Sequence, residues 1–162
     1  MIVDDQREVI ECLLAPASHG PTAPRVERID THSSTVFLAG DYAYKLKRAV
    51  RYDYLDFSTA DRRRALCEAE LALNRRTAPG LYLDVIPVTR EVTGRLAIGG
   101  AGSPVEWVLR MRRFDQSGLF DRLAARGALD LDLMAPLATA IARLHAKAER
   151  RQDHGGRAGM AW

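Results

Sequence analysis

Little in this sequence can staple, ligate or span. Only two cysteines occur, Cys12 and Cys67, each inside a helix-like pattern, which argues against a disulfide framework or a cysteine metal cluster and for reduced thiols. The four histidines, His19, His32, His145 and His154, stand far apart with no partner at ligand spacing. No apolar run approaches the ~18 residues that cross a bilayer. The N-terminal "MIVDDQREVIECLLAP" is acidic and amphipathic where a secretory signal would be basic and then apolar, so the sequence predicts no membrane partner and a cytoplasmic location. Charge of one sign is scarce too: the net value is +3. The clusters "RRR" at 62–64 and "RMRR" at 110–113 permit anionic ligands, but the first spreads around a helix and the second alternates across a strand. Neither makes a basic stripe with interleaved aromatics, which disfavours nucleic acid as a partner. No internal repeat is present.

What is there fits one folded domain: 162 residues, 47% hydrophobic and 28% charged, enough for an ordinary core. Residues 4–14, "DDQREVIECLL", place Val9, Ile10, Leu13 and Leu14 on one side of a short helix that ends before Pro16. A breaker-rich linker, "APASHGPTAP", follows at 15–24. Strands are expected near 25–30, 34–39 and 42–48, the last two joined by a two-residue Gly40-Asp41 turn. A helix capped by Ser58, with Asp61 three residues on, should run to about Thr77. Then come "LDVIPVTRE" and "GRLAIGG" around a Thr93-Gly94 turn, and "PVEWVLRMRRF". Two helices close the chain: about Ser117 to Arg126, and "DLDLMAPLATAIARLHAKAERR", with Asp132 as cap and Leu137, Ile141, Leu144 and Ala148 along one seam beside His145. Antiparallel hairpins interrupted by one helix predict an α+β layer with that helix on a sheet face.

Two elements carry a possible chemistry. In "GDYAYKLKRAV", Gly40 to Val50, strand alternation puts Ala43, Lys45 and Lys47 on one face and Tyr42, Tyr44 and Leu46 on the other. In the following helix, a rotation of about 100° per residue places Glu70 within an apolar arc of Leu66, Ala69 and Leu73, while Glu68 looks the opposite way, toward Arg64 and Arg75. Cys67 falls toward the apolar arc and reads as core rather than nucleophile. A carboxylate on a packing face is costly unless a cation meets it. Lys45, in the hairpin immediately before the helix, can supply that cation.

The run Tyr42-Ala43-Tyr44-Lys45 has the form of the V-A-I-K strand of protein kinases, whose lysine holds nucleotide phosphates and pairs with a glutamate of the next helix. With it, "THSSTVFLAGDYAYKLKRAV", "YLDFSTADRRRALCEAELALNRRTAPGLYLDVIPV" and "VEWVLRMRRF" resemble the N-terminal half of aminoglycoside phosphotransferase-like proteins of the protein-kinase-like superfamily. The nearest likeness is to the bacterial subgroup in which such a domain is commonly fused to a P-loop ATPase domain.

The resemblance implies an α+β, kinase-like N-terminal lobe, an antiparallel sheet with one packed helix, followed by the first helices of an incomplete C-terminal lobe. In its terms, residues 1–24 are an N-terminal helix and linker, 25–115 the nucleotide-binding lobe, and 116–162 the start of a truncated helical lobe. ATP is the implied cofactor. Lys45 would bind its phosphates and Glu70 orient Lys45, with Lys47 and Glu68 as the alternatives if the register shifts by two. Ala43 would leave room for adenine, and Met111, Arg112 and Arg113, running to Phe114, would form the hinge whose backbone meets it. "DTHSS" stands where kinases have a glycine-rich loop, so Thr31, Ser33, Ser34 and nearby N–H groups would cover the phosphates, with His32 beside them. "LATAIARLH" would be the long helix ahead of the catalytic loop.

The family's H-G-D-x-x-x-x-N loop and its metal-binding aspartate have no counterpart; "DHGG" at 153–156 lacks the aspartate after the glycine. No catalytic or metal-binding residue is therefore assigned, Mg²⁺ is expected only with the missing lobe, and the isolated chain is expected to bind nucleotide without transferring phosphate. The missing lobe or a partner chain should cover the last helices. The competing reading is a non-catalytic docking module that presents Trp107, Leu119 and Phe120.

Overall fold

The computed structural model describes residues 2–21 and 25–150; the "DHGG" run and His154 lie outside the described residues. The fold is mixed α+β, and its contacts divide the chain into two compact units, Met1–Asp115 and Gln116–Trp162.

The first unit opens with α1 (Arg7–Leu14), which buries Val9 and Leu13, four residues apart and so on one helical face. Pro16 ends α1 and begins a single 3₁₀ turn, Pro16–His19. Eight strands and a second helix follow: β1 (Glu27–Asp30), β2 (Ser34–Ala39), β3 (Tyr42–Lys47), β4 (Arg51–Tyr52), β5 (Leu55–Asp56), α2 (Ala60–Asn74), β6 (Tyr82–Arg90), β7 (Leu96–Ile98) and β8 (Ser103–Arg112). Six of the strands form one antiparallel sheet in the order β1-β2-β3-β8-β6-β7, and β4 and β5 make a separate hairpin. The β2–β3 turn is the predicted one: Ala39 opposes Tyr42, and Gly40 takes φ 56°, the left-handed value required at the first position of a II′ turn. The β4–β5 hairpin went unpredicted because two-residue strands carry no alternation to read.

The sheet is covered on both sides, with β3 in mid-sheet between β2 and β8. Tyr44 and Leu46 join Val9, Leu13, Phe37, Val88 and Val108 in the hydrophobic core, so α1 belongs to the same packed unit as the sheet and is not set apart with a linker. The opposite face of β3 meets α2, which lies against β8 and β6. Thr59, rather than Ser58, caps α2: its side chain accepts from the Arg62 N–H at 3.3 Å.

The second unit contains α3 (Phe120–Ala125) and α4 (Met134–Lys147), each preceded by a short 3₁₀ turn. None of its described residues is buried. Asp132 does not cap α4; instead Asp130 accepts from the Asp132 N–H at 2.9 Å and caps the turn at Leu131–Leu133. Along α4, Leu137, Ile141 and His145 are exposed and Leu144 is half-buried, so His145 does not line a closed seam. Among the described residues no helix is long and apolar enough to cross a membrane.

Candidate functional site: two lysines on one carboxylate

Register places Lys45 opposite Val36 of β2 and Leu109 of β8, at the centre of the sheet face that α2 covers. There its Nζ donates to Glu70 Oε1 at 2.7 Å, and the Nζ of Lys47 donates to Glu70 Oε2 at 2.7 Å. Both lysines of the alternating strand thus converge on one helix carboxylate. Glu68 is elsewhere, accepting from Arg64 Nε at 2.8 Å along the exposed side of α2.

The three side chains differ in access, with exposures of 28% for Lys45, 17% for Glu70 and 8% for Lys47. Lys47 is enclosed further by the Phe57 ring, whose centroid lies 5.0 Å from Nζ, a cation–π contact. Burial raises the pKa of Glu70, but the hydrogen bonds and charges of Lys45 and Lys47 outweigh it and hold the carboxyl below its ordinary value. Glu70 is therefore ionised at neutral pH.

The helix face that delivers Glu70 differs from the predicted arc. Leu66 and Leu73 are 38% and 61% exposed, whereas Cys67 and Arg63 are buried. The packed stripe is Arg63, Cys67, Glu70 and Asn74, at i, i+4, i+7 and i+11. The physical reason lies in the sheet: its surface here presents ammonium groups, so it selects the face of α2 that carries matching polar groups. Cys67 is core, and burial pushes its thiol up to about 11.

A second ion pair sets the position of α2. Arg63 Nη2 lies 2.6 Å from Glu106 Oε2, with side-chain exposures of 1% and 2%. Nothing in this cluster is left without a partner. Arg63 also donates through Nε to Glu106 Oε1 and through Nη1 to the Phe57 carbonyl. Glu106 accepts further from Gln6 Nε2 at 2.8 Å and from the Trp107 N–H at 3.0 Å. Gln6 in turn bridges the Lys47 carbonyl and the Ala49 N–H. Sequence reasoning missed this network because an acidic residue in a strand reads as solvent-facing, and Arg63 was one of three adjacent arginines. Four of the remaining five arginines of the two clusters also pair within the chain. Arg62 pairs with Asp56, Arg64 stacks over Trp107 at 4.2 Å, Arg110 forms a bidentate pair with Asp84, and Arg113 pairs with Glu27.

The other predicted site residues fall as follows. Ala43 is buried, opposite Leu38 and Met111. The Thr31 hydroxyl closes its own turn, accepting from the Ser34 N–H at 3.0 Å and lying 2.9 Å from the Ser34 carbonyl. Ser34 is buried at the start of β2, and the Ser33 carbonyl accepts from the Arg48 N–H. Thr31 and the Ser34 backbone are thus bonded to each other within the loop. At the expected hinge, the Arg112 N–H donates to Leu81 O and the Arg113 N–H to Asp41 O, at 2.9 and 2.8 Å. Those two donors are consumed by neighbouring chain. Trp107, expected on a docking surface, lies beneath Arg64. No group of three or more potential metal ligands occurs among the described residues. A cavity of about 700 Å³ lies apart from this site, between α1 and β7, lined in part by Glu11, Cys12, Ser18 and Ile98.

Fold and site together define an α+β domain with a strand-to-helix lysine–glutamate cluster. No protein-family model matches the chain, and no solved structure does. Uncharacterized proteins of Mycobacterium tuberculosis (strains H37Rv and CDC 1551) and of Mycobacterium bovis are each 34% identical to it over 134 residues, covering 80% of this chain and 24% of theirs. The chain spans about a quarter of the length of these curated relatives.

Proposed function

We propose that the first unit is the ATP-binding lobe of a phosphotransferase of the aminoglycoside phosphotransferase-like, protein-kinase-like kind, with Lys45 as its phosphate ligand and Glu70 as the group that orients it. The observation that carries this reading is the 2.7 Å contact between Lys45 and Glu70, from the third strand to the next sheet-packed helix, the arrangement that nucleotide-holding lysines have in kinases. Lys45 suits the task chemically. An ammonium has three donors; Glu70 takes one, and the side chain is the more accessible of the two lysines. Mg²⁺ would arrive with the nucleotide and supply charge neutralisation on its phosphates.

No H-G-D-x-x-x-x-N run occurs in the sequence, so binding without turnover is the expected behaviour of this chain, and transfer to an acceptor would need residues from another segment. The greater length of the mycobacterial relatives fits a domain that is one part of a longer protein. The docking-module alternative rests on Phe120, exposed at the start of α3, with Trp107 and Leu119 half-buried, and no observation favours it over nucleotide binding. Isothermal titration of the chain with ATP tests the proposal. Saturable binding that weakens about tenfold in Lys45→Met, roughly the loss of one charge-assisted contact, is expected. Equal affinity of the two proteins would overturn it.

A further inference from the structure

We infer that Lys47 is a positioning residue that neutralises Glu70 and so leaves the charge of Lys45 for an anionic phosphate. This rests on the nucleotide reading above and adds to it a second lysine with a separate task. Each oxygen of Glu70 is taken by a different ammonium at 2.7 Å, so the cluster holds two positive charges against one negative. The surplus positive charge belongs to the member that can meet a ligand. Lys47 is not that member. It is 8% exposed, lies against Phe57, and its backbone carbonyl is tied by Gln6 to the network that also fixes Arg63 of α2.

Lys45 sits at the more accessible side of the same carboxylate. With Lys47 in place, drawing Lys45 toward a phosphate does not strand a largely buried carboxylate, because one ammonium remains on it. Without Lys47, Lys45 would be the sole compensating charge for Glu70, the cluster would be neutral, and a phosphate would have to compete with the carboxylate for the same group.

Affinity should therefore follow the charge of the cluster. Lys47→Met is expected to weaken ATP binding about tenfold although Lys47 itself touches no ligand. Adding Glu70→Gln to that variant restores one net positive charge and is expected to recover most of the loss. A purely structural role for Lys47 predicts the reverse, since a second core substitution would compound the damage. Because Glu70 itself orients Lys45, Glu70→Gln serves only as the background of the comparison: Lys47→Met should cost about tenfold with Glu70 in place and little once Glu70→Gln accompanies it, and Lys47→Gln, which keeps a donor without the charge, gives the same reading should Lys47→Met fail to fold. Titration with tripolyphosphate beside ATP separates the two proposals. The charge pattern with tripolyphosphate, and no added affinity for ATP, would support the two-lysine arrangement and refute the nucleotide reading. ATP binding indifferent to Lys47, or weakened as much by Lys47→Met with Glu70→Gln in place as without it, would overturn the inference and leave that reading standing. No binding of either probe would overturn both.

Discussion

Removal of Arg63 should show how much of the first unit depends on a buried ion pair. The guanidinium and the Glu106 carboxylate are almost fully enclosed, at 1% and 2% exposure. In Arg63→Met the carboxylate would keep only the Gln6 amide and the Trp107 N–H as donors, and the Phe57 carbonyl would lose the Nη1 bond. Stranding one partner of such a pair costs about 3–5 kcal/mol, against a total stability of roughly 5–15 kcal/mol for an ordinary domain. At about 4 °C per kcal/mol the melting temperature should fall by roughly 12–20 °C. Urea unfolding followed by tryptophan fluorescence measures this directly, because Trp107 lies under α2 against Arg64. The companion variant, Arg63→Met with Glu106→Leu, removes both charges and should cost at least about 2 kcal/mol less than the sum of the two single changes. A loss below about 1 kcal/mol in Arg63→Met, or strict additivity in the pair, would refute the claim that this cluster fixes α2.

Two further outcomes can be checked. The folded-state pKa of Glu70 lies below its ordinary 4.5, so the stability that Glu70 contributes is fully present above that value and disappears as pH falls through the lower, folded one; the stability gap between parent and Glu70→Gln should be level from pH 6 to 8 and close in acid, and a gap that widens in acid would contradict the assignment. Cys67 is fully buried with its thiol pushed up to about 11, whereas Cys12 is half-buried, so a thiol-exchange reagent applied to the native protein should label Cys12 first, and Cys12→Ser that still labels rapidly would show the core open at α2.

The sequence disclosed the parts of the site that obey local rules. Gly40 announced a hairpin, alternation put Lys45 and Lys47 on one face, and the energetic awkwardness of Glu70 demanded a cation. It did not disclose that both lysines answer that demand, because strand alternation names a face and says nothing of how far two side chains on it converge. The orientation of α2 was misread for a related reason: a wheel built on leucines assumes that apolar residues choose the packed side, and here the sheet surface beneath the helix is charged. Glu106 was illegible from either pattern. Its partners lie 43 and 100 residues away, at Arg63 and Gln6, and no local period encodes a contact of that range. Nor did the sequence disclose that the Arg112 and Arg113 amides bond to Leu81 and Asp41, since backbone pairing of that kind leaves no trace in residue type.

Gln6 precedes the first helix and belongs to no strand, yet its amide serves a carbonyl, a peptide N–H and a carboxylate drawn from different parts of the chain. A truncated chain that begins after it would keep every helix and strand and still leave the Ala49 N–H without that acceptor and Glu106 short of a donor in a dry interior. The border that regular elements suggest, at residue 25, would strip Val9 and Leu13 from the core they share with the sheet, and a shortened version beginning there should be harder to keep soluble than its intact sheet would lead one to expect.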